Sequence, residues 1–224
     1  MRKYPGYFIT LEGGEGCGKT SRIPHLAESL RQKGLDVMTV REPGGTSIGE
    51  QIRIVLHDGN NTEMHPRAET LLYQASRAQI VEQLLIPRLN EGYIILCDRF
   101  ADSTLAYQGF GHQRDIQEIK TLITYATGGL TPDLTILIDL DPEIGAERKR
   151  INNSEWNRMD RMPPDFYERV REGYLKMAAE DPIRWVVIDG NKYPLDIHTE
   201  LLNITEGRLI IAGFIESSLR RIER

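Results

Sequence analysis

The sequence predicts an α/β fold built on a parallel sheet. Short runs rich in β-branched and aromatic residues alternate with longer stretches of helical pattern along most of the chain. One run, residues 93–98 (YIILCD), is nearly all apolar, as a strand covered on both faces must be. The first run passes through a glycine-rich turn directly into a helical pattern, as a βαβ unit does.

Taken in order, the strands are expected at Tyr7–Glu12, 35–41, 93–98, Leu134–Asp139 and 185–188. Helical spacing fills 20–33, 48–56, 66–91, 115–126, 142–150 and 165–179. Pro66 suits a first helical position, and Pro87 should kink or end its helix near the last turn. Residues 151–164 (INNSEWNRMDRMPP) are polar, carry a Pro pair and lie between two helices. A loop of that length is uncommon in a compact domain and reads as a lid, placed at about 148–164. Apolar residues at 210, 211, 214, 215, 219 and 222 predict a helical tail over about 206–224.

The chain has 224 residues, 40% hydrophobic and 27% charged, which suits one folded domain, 1–224, with a sizeable core. Lys and Arg number 28 against 33 Asp and Glu, a net charge of −5. No global basic charge points to nucleic acid, so an anion site has to be a local cluster. Two cysteines cannot build a disulfide framework or a zinc cluster. No signal-peptide pattern opens the chain and no apolar run approaches 18 residues, so neither export nor a membrane is expected and the cytoplasm is the default.

Gly13-Gly14-Glu15-Gly16-Cys17-Gly18-Lys19-Thr20 fits the phosphate-loop pattern G-x-x-x-x-G-K-[ST], between a strand and a helix as that loop requires. Its backbone N–H groups would cradle the phosphates of ATP or GTP, Lys19 would reach the outer ones, and Thr20 would offer its hydroxyl to Mg²⁺. Cys17 is either an inert small residue or a thiol activated by the loop's amides and Lys19. A GTPase would need Asn-Lys-x-Asp near the fifth strand; Asn191-Lys192 is followed at the fourth position by Pro194. Asp98-Arg99 ends the third strand. An acid there suits the Mg²⁺-associated carboxylate of a P-loop protein, and an arginine beside it can clamp a phosphate.

Asp98-Arg99-Phe100-x-x-Ser103-x-Leu105-Ala106-Tyr107-Gln108 resembles the signature of the thymidylate kinase family. Arg41-Glu42-Pro43-Gly44-Gly45-Thr46, Leu71-Leu72-Tyr73-x-Ala75-x-Arg77-Ala78-Gln79, Pro132-Asp133-Leu134-Thr135 and Arg169-Val170-Arg171-x-Gly173-Tyr174 resemble further family segments in the same order. The resemblance covers about residues 7–189. It implies a P-loop nucleoside-monophosphate kinase fold, a five-stranded parallel sheet flanked by helices with a short lid. It also implies ATP- and Mg²⁺-dependent conversion of dTMP to dTDP in dTTP biosynthesis, by a homodimer. Residue by residue, it implies that Glu15 meets the sugar 3′-hydroxyl and that Arg53 and Arg99 meet the acceptor phosphate. Tyr73, which periodicity alone would assign to core packing, stacks on thymine, and Arg77 reaches the base edge. Glu42 and Pro43 belong to the acceptor loop, Ser103 and Thr104 lie near the base, Tyr107 packs on the deoxyribose, and Gln108 joins them. Thr20 and Asp98 attend the metal.

Family members carry the catalytic arginine either in the P-loop or in the lid. Gly16 here implies the lid pattern, with Arg148, Arg150 and Arg158 as the cations that stabilise the transferring phosphoryl group. Arg158 matches the arginine of the family's Asp-Arg-x-Glu motif, although Asn157 and Asp160 replace its acids, and His112-Gln113 also departs from the pattern. Two other readings compete. One is a kinase for another pyrimidine monophosphate such as dUMP, since a single methyl separates the bases. The other is a non-kinase P-loop protein, which would have no use for a nucleoside pocket.

Overall fold

The computed structural model describes residues 2–152 and 158–216. Five strands form one parallel sheet: β1 (Tyr7–Glu12), β2 (Val37–Arg41), β3 (Ile94–Asp98), β4 (Leu134–Asp139) and β5 (Trp185–Asp189), in the order β2-β3-β1-β4-β5. β1 is central and buried along its whole length, between β3 (Ile9 opposite Leu96) and β4 (Leu11 opposite Ile136). Its carboxyl end is therefore the topological switch point, where ligands bind in open α/β sheets.

Helices α1 (Lys19–Arg31), α2 (Ser47–His57) and α3 (Pro66–Ile80) follow the expected order. Thr46 caps α2 by accepting the Gly49 N–H at 3.0 Å. From α3 the chain runs on through a π-turn, Val81–Leu85, into α4 (Ile86–Asn90). Pro87 does not end this helix. It removes one intrahelical donor, and the wider i→i+5 turn just before it accommodates the loss. A second irregular helix, α5 (Ala101–Thr104) continuing as a π-turn over Leu105–Gly111, was not legible as a helix, since Gly109 and Gly111 break the apolar periodicity. Next come α6 (Ile116–Thr127), α7 (Pro142–Ile151), a 3₁₀ turn (Arg158–Arg161), α8 (Pro164–Glu180) and α9 (Pro194–Ile211). The terminal helix thus starts twelve residues before the expected 206; residues 217–224 of the expected tail lie outside the described residues.

On one sheet face, Ile9, Leu11, Leu96 and Ile136 pack with Leu26, Leu30, Leu201 and Leu209 of α1 and α9. On the other, Phe8, Ile95 and Cys97 meet the α3–α4 helix, and Leu137 and Trp185 meet Val170 and Tyr174 of α8. This second face also carries Thr10 and Glu12, both fully buried and both hydrogen-bonded, so it is polar beneath the switch point.

Candidate active site

The loop between β1 and α1 turns on three glycines with positive φ: Gly13 (138°), Gly16 (69°) and Gly18 (89°). Gly16 also presses against the backbone of Gly145 in α7, and a Cβ on either residue would collide with the other segment's carbonyl. No side chain caps the start of α1, which leaves its first N–H groups to a ligand. Lys19 is buried, and its Nζ donates to the carbonyls of Gly13 (2.9 Å) and Gly14 (2.8 Å), so the ammonium already lies across the loop's mouth. Cys17 is 1% exposed, and this burial favours the inert reading of the residue even though Lys19 Nζ lies 3.2 Å from its Sγ. Cys97 is sealed too; burial pushes its thiol well up, and it donates to the Arg99 carbonyl.

Thr20 Oγ1 donates to Asp98 Oδ2 at 2.6 Å. The hydroxyl at the start of α1 and the carboxylate at the end of β3 thus meet beside the loop. One carboxylate and one hydroxyl suit Mg²⁺, which keeps waters and takes its remaining oxygens from phosphates. Among the described residues no group of three or more His, Cys, Asp or Glu forms a cage for another kind of metal.

Immediately after Asp98, Arg99 adopts a positive φ of 67°, rare for a residue with a side chain. Such strain persists only where the surroundings over-determine it. Here the Arg99 N–H donates to Leu11 O (3.1 Å) and the Phe100 N–H to Glu12 Oε1 (2.8 Å). Glu12 also accepts from Ser103 Oγ (2.6 Å) and Tyr174 OH (2.9 Å). Burial, together with Asp102, raises the Glu12 carboxyl to about 7. The strained turn aims the Arg99 guanidinium at Glu15 Oε1 (2.7 Å), Tyr107 OH (3.1 Å) and Gly13 O (2.9 Å). Burial works to raise Glu15, but Arg99, Lys19 and Lys149 override it and hold its carboxyl at about 2, so it is ionised at neutral pH.

A cleft of about 410 Å³ opens over this cluster, within the range of small-molecule sites. Lys19, Thr20, Glu15, Asp98 and Arg99 line it together with Glu42, Pro43, Arg53, Tyr73, Arg77, Ser103, Thr104, Tyr107 and Gln108. Segments far apart in sequence therefore share one cavity. Arg53 donates to Pro43 O at 3.0 Å. Arg77 is held at every guanidinium nitrogen: by Glu42 Oε2 (2.8 Å), Gln74 Oε1 (3.1 Å), Thr104 Oγ1 (2.8 Å) and Phe100 O (3.0 Å). In this state it braces the pocket wall rather than offering an open fork. Burial raises Glu42 despite Arg77, and burial with Glu69 nearby raises the Tyr73 phenol, which stays neutral.

The expected lid arginines divide. Arg148 lines the cleft and donates to Gly190 O at 2.9 Å, and Lys149 lines it beside the loop. Arg150 points to solvent, 3.9 Å from Glu147. Arg158 is not among the residues lining the cleft. It is buried in an ion pair with Glu69 of α3 and donates from Nε to Leu56 O at 3.1 Å. Glu69 also accepts from Gln108 Nε2 (2.7 Å) and pairs with His112 Nε2 (3.1 Å). Asn157 lies outside the described residues. Sequence reasoning passed over Glu12, His57, Glu69 and Lys149 and gave Tyr174 no role. Glu12 did leave a signal, an acid ending a largely apolar strand next to the phosphate loop.

The chain matches the family model described as thymidylate kinase over residues 11–201. It is 51% identical over 191 residues to the thymidylate kinase of Geobacter sulfurreducens, covering 83% of this chain and 90% of that one. To the thymidylate kinase of an Exiguobacterium species it is 46% identical over 208 residues, 93% and 98% of the two chains. A crystal structure of thymidylate kinase from Ehrlichia chaffeensis superposes with a TM-score of 0.72 at 33% identity, covering 90% of this chain and 98% of that one. With the phosphate loop, the Asp98–Gln108 segment and the five-stranded parallel sheet already in agreement with the resemblance, these matches make the chain a member of the thymidylate kinase family.

Proposed function

We propose that this chain transfers the γ-phosphoryl group of ATP to dTMP, giving dTDP and ADP, with Mg²⁺, as a step in dTTP synthesis. The observation that carries the reading is the shared cleft, in which Lys19 and Thr20 of the phosphate loop and Tyr73, Arg77 and Tyr107 of the nucleoside segments line one cavity. Phosphoryl transfer asks little covalent chemistry of a protein and depends on positioning and charge. An oxygen of the dTMP phosphate attacks the γ-phosphorus, and ADP departs from the other side. Lys19 holds the outer phosphates and Arg53 and Arg99 the acceptor phosphate. Ionised Glu15 fixes Arg99 and accepts a hydrogen bond from the sugar 3′-hydroxyl. Tyr73 stacks on the base and Tyr107 packs against the deoxyribose. Thr20 and Asp98 would hold Mg²⁺, which supplies neutralising charge between the phosphates. Among the cations after β4, Arg148 and Lys149, which line the cleft, meet the moving group, Lys149 on leaving the Asp160 carboxylate that holds it here, while Arg158 acts through Glu69.

The reading takes the chain as one kinase domain that works as a homodimer. Ile48, Ile54 and Val55 of α2 and Leu71 of α3 are exposed on adjacent helices, as a face covered by a second copy would be. It also carries a cytoplasmic location, in keeping with two unpaired thiols; no described helix is long and apolar enough to cross a membrane. The test is ATP-coupled phosphorylation across dTMP, dUMP, UMP, CMP, AMP and GMP. dTMP should be preferred, and a preference for any of the last four overturns the reading.

A further inference from the structure

His57 ends α2 and lines the same cleft as Arg53, one helical turn before it. Side chains at i and i+4 share a helix face, so the imidazole and the guanidinium look into the cleft together. The ring is partly buried, yet among the described residues no hydrogen bond or ion pair to it occurs. The charged groups around it are Arg53 on its own helix, Glu15 of the phosphate loop, Arg99 after β3 and Arg158 of the 3₁₀ turn. From α3, Tyr73 lines the same cleft, and Glu69 is committed to Arg158. Three guanidiniums thus face one carboxylate around an imidazole with nothing to bond.

Burial, then Arg53, lowers the ring to about 4, so it is neutral at pH 7 while the cleft holds no anion. A phosphomonoester dianion entering the cleft would offset the net positive charge that these groups place around the ring. An opposite charge within a few ångströms typically moves a titrating group by about 1–3 units.

We infer that His57 is an acceptor-site residue, which faces the phosphomonoester of the bound nucleotide and gains a proton and a donor bond as that dianion enters. The inference rests on the proposed acceptor reading and deepens it. Its consequence is that acceptor affinity rises on mild acidification, through a residue outside the transfer machinery.

The ring C2–H resonance of His57 in the full-length protein reads this directly. It is assigned by its loss in His57→Gln, or in His57→Leu should the Gln variant fail to fold. Titrations from pH 5 to 8 are run with no ligand, with dTMP and with thymidine, which lacks the phosphate. The ring should stay neutral alone and with thymidine, and with dTMP its midpoint should rise by about two to three units, to about 6 or above. In turnover, His57→Gln should raise the dTMP KM more at pH 6 than at pH 8, with a smaller change in kcat. The dTMP phosphate itself titrates in this window, so the turnover effect is taken as the difference between wild type and His57→Gln with the same ligand at each pH, in which that ionisation cancels. If dTMP binds and the midpoint does not move, the His57 role is wrong and the kinase reading stands. If dTMP does not bind wild-type protein at all, both fall.

Discussion

Replacing Arg158 by Met separates a structural arginine from a rate-determining one. In the ion pair with Glu69 the two side chains are 9% and 1% exposed, so the substitution leaves a buried carboxylate without its principal cation. Removing one partner of a buried pair typically costs about 3–5 kcal/mol. Glu69 keeps its contacts with Gln108 Nε2 at 2.7 Å and His112 Nε2 at 3.1 Å, so the lower end of that range, about 3 kcal/mol, is expected. For a domain of this size each kcal/mol moves Tm by roughly 2–4 °C, so Tm should fall by about 6–12 °C. Glu69→Gln combined with Arg158→Met leaves no lone charge and should recover a large part of the loss, a non-additivity that identifies the pair. Because Arg158 does not line the cleft, kcat measured well below Tm should change by less than about threefold, whereas loss of a transition-state donor costs about 10²–10³. Arg148→Ala is the contrast, since that side chain does line the cleft, and it should lower kcat with little change in Tm. Thermal melts and steady-state kinetics on wild type, Arg158→Met, Glu69→Gln, the double variant and Arg148→Ala decide the matter. An unchanged Tm with a hundredfold fall in kcat for Arg158→Met would mean that the guanidinium leaves Glu69 during turnover, and would refute the reasoning.

Three further outcomes are expected. Lys19→Met should lower kcat by about 10²–10³ with an unchanged circular dichroism spectrum, because Lys19 Nζ bonds only loop atoms and braces no helix. Gly145→Ala should cost about 1–3 kcal/mol and raise the ATP KM, because its Cβ meets the Glu15 carbonyl, whereas Gly207→Ala, with open space around it, should be neutral or stabilising in the same melt. Glu12 titrates at about 7 when folded against an ordinary 4.5, so between those values the folded chain holds more protons than the unfolded chain. Stability should therefore fall as pH rises from 4.5 to 7, and Glu12→Gln should flatten that part of the Tm–pH profile while keeping an acceptor for the Phe100 N–H.

The phosphate loop, the strands and most helices were legible because their signals are local. A run such as YFITLE can be buried on both faces only in the middle of a sheet, and Gly13–Thr20 has the chemistry of its turn written in consecutive residues. The helix through Ala101–Gly111 escaped because a π-turn matches neither the helical nor the strand period. The acceptor residues were legible through resemblance, since nothing in the spacing of Arg53, Tyr73 and Tyr107 says that they face one another.

What only the tertiary structure decided is which charge meets which. Arg158 was legible as a cation near the lid, but its partner Glu69 lies 89 positions away, and nothing local to either residue announces their pairing. Glu12 and Tyr174, 162 positions apart, meet beneath the switch point and hold Arg99 in a conformation that no local preference would select. His57 reads as the polar end of a helix until packing places it over the cleft among three guanidiniums. Sequence periodicity determines which face of an element is buried, because that follows from backbone geometry alone. The partner and the ionisation of a buried polar group depend on the elements packed against it, and the strand order β2-β3-β1-β4-β5 is what brings them together.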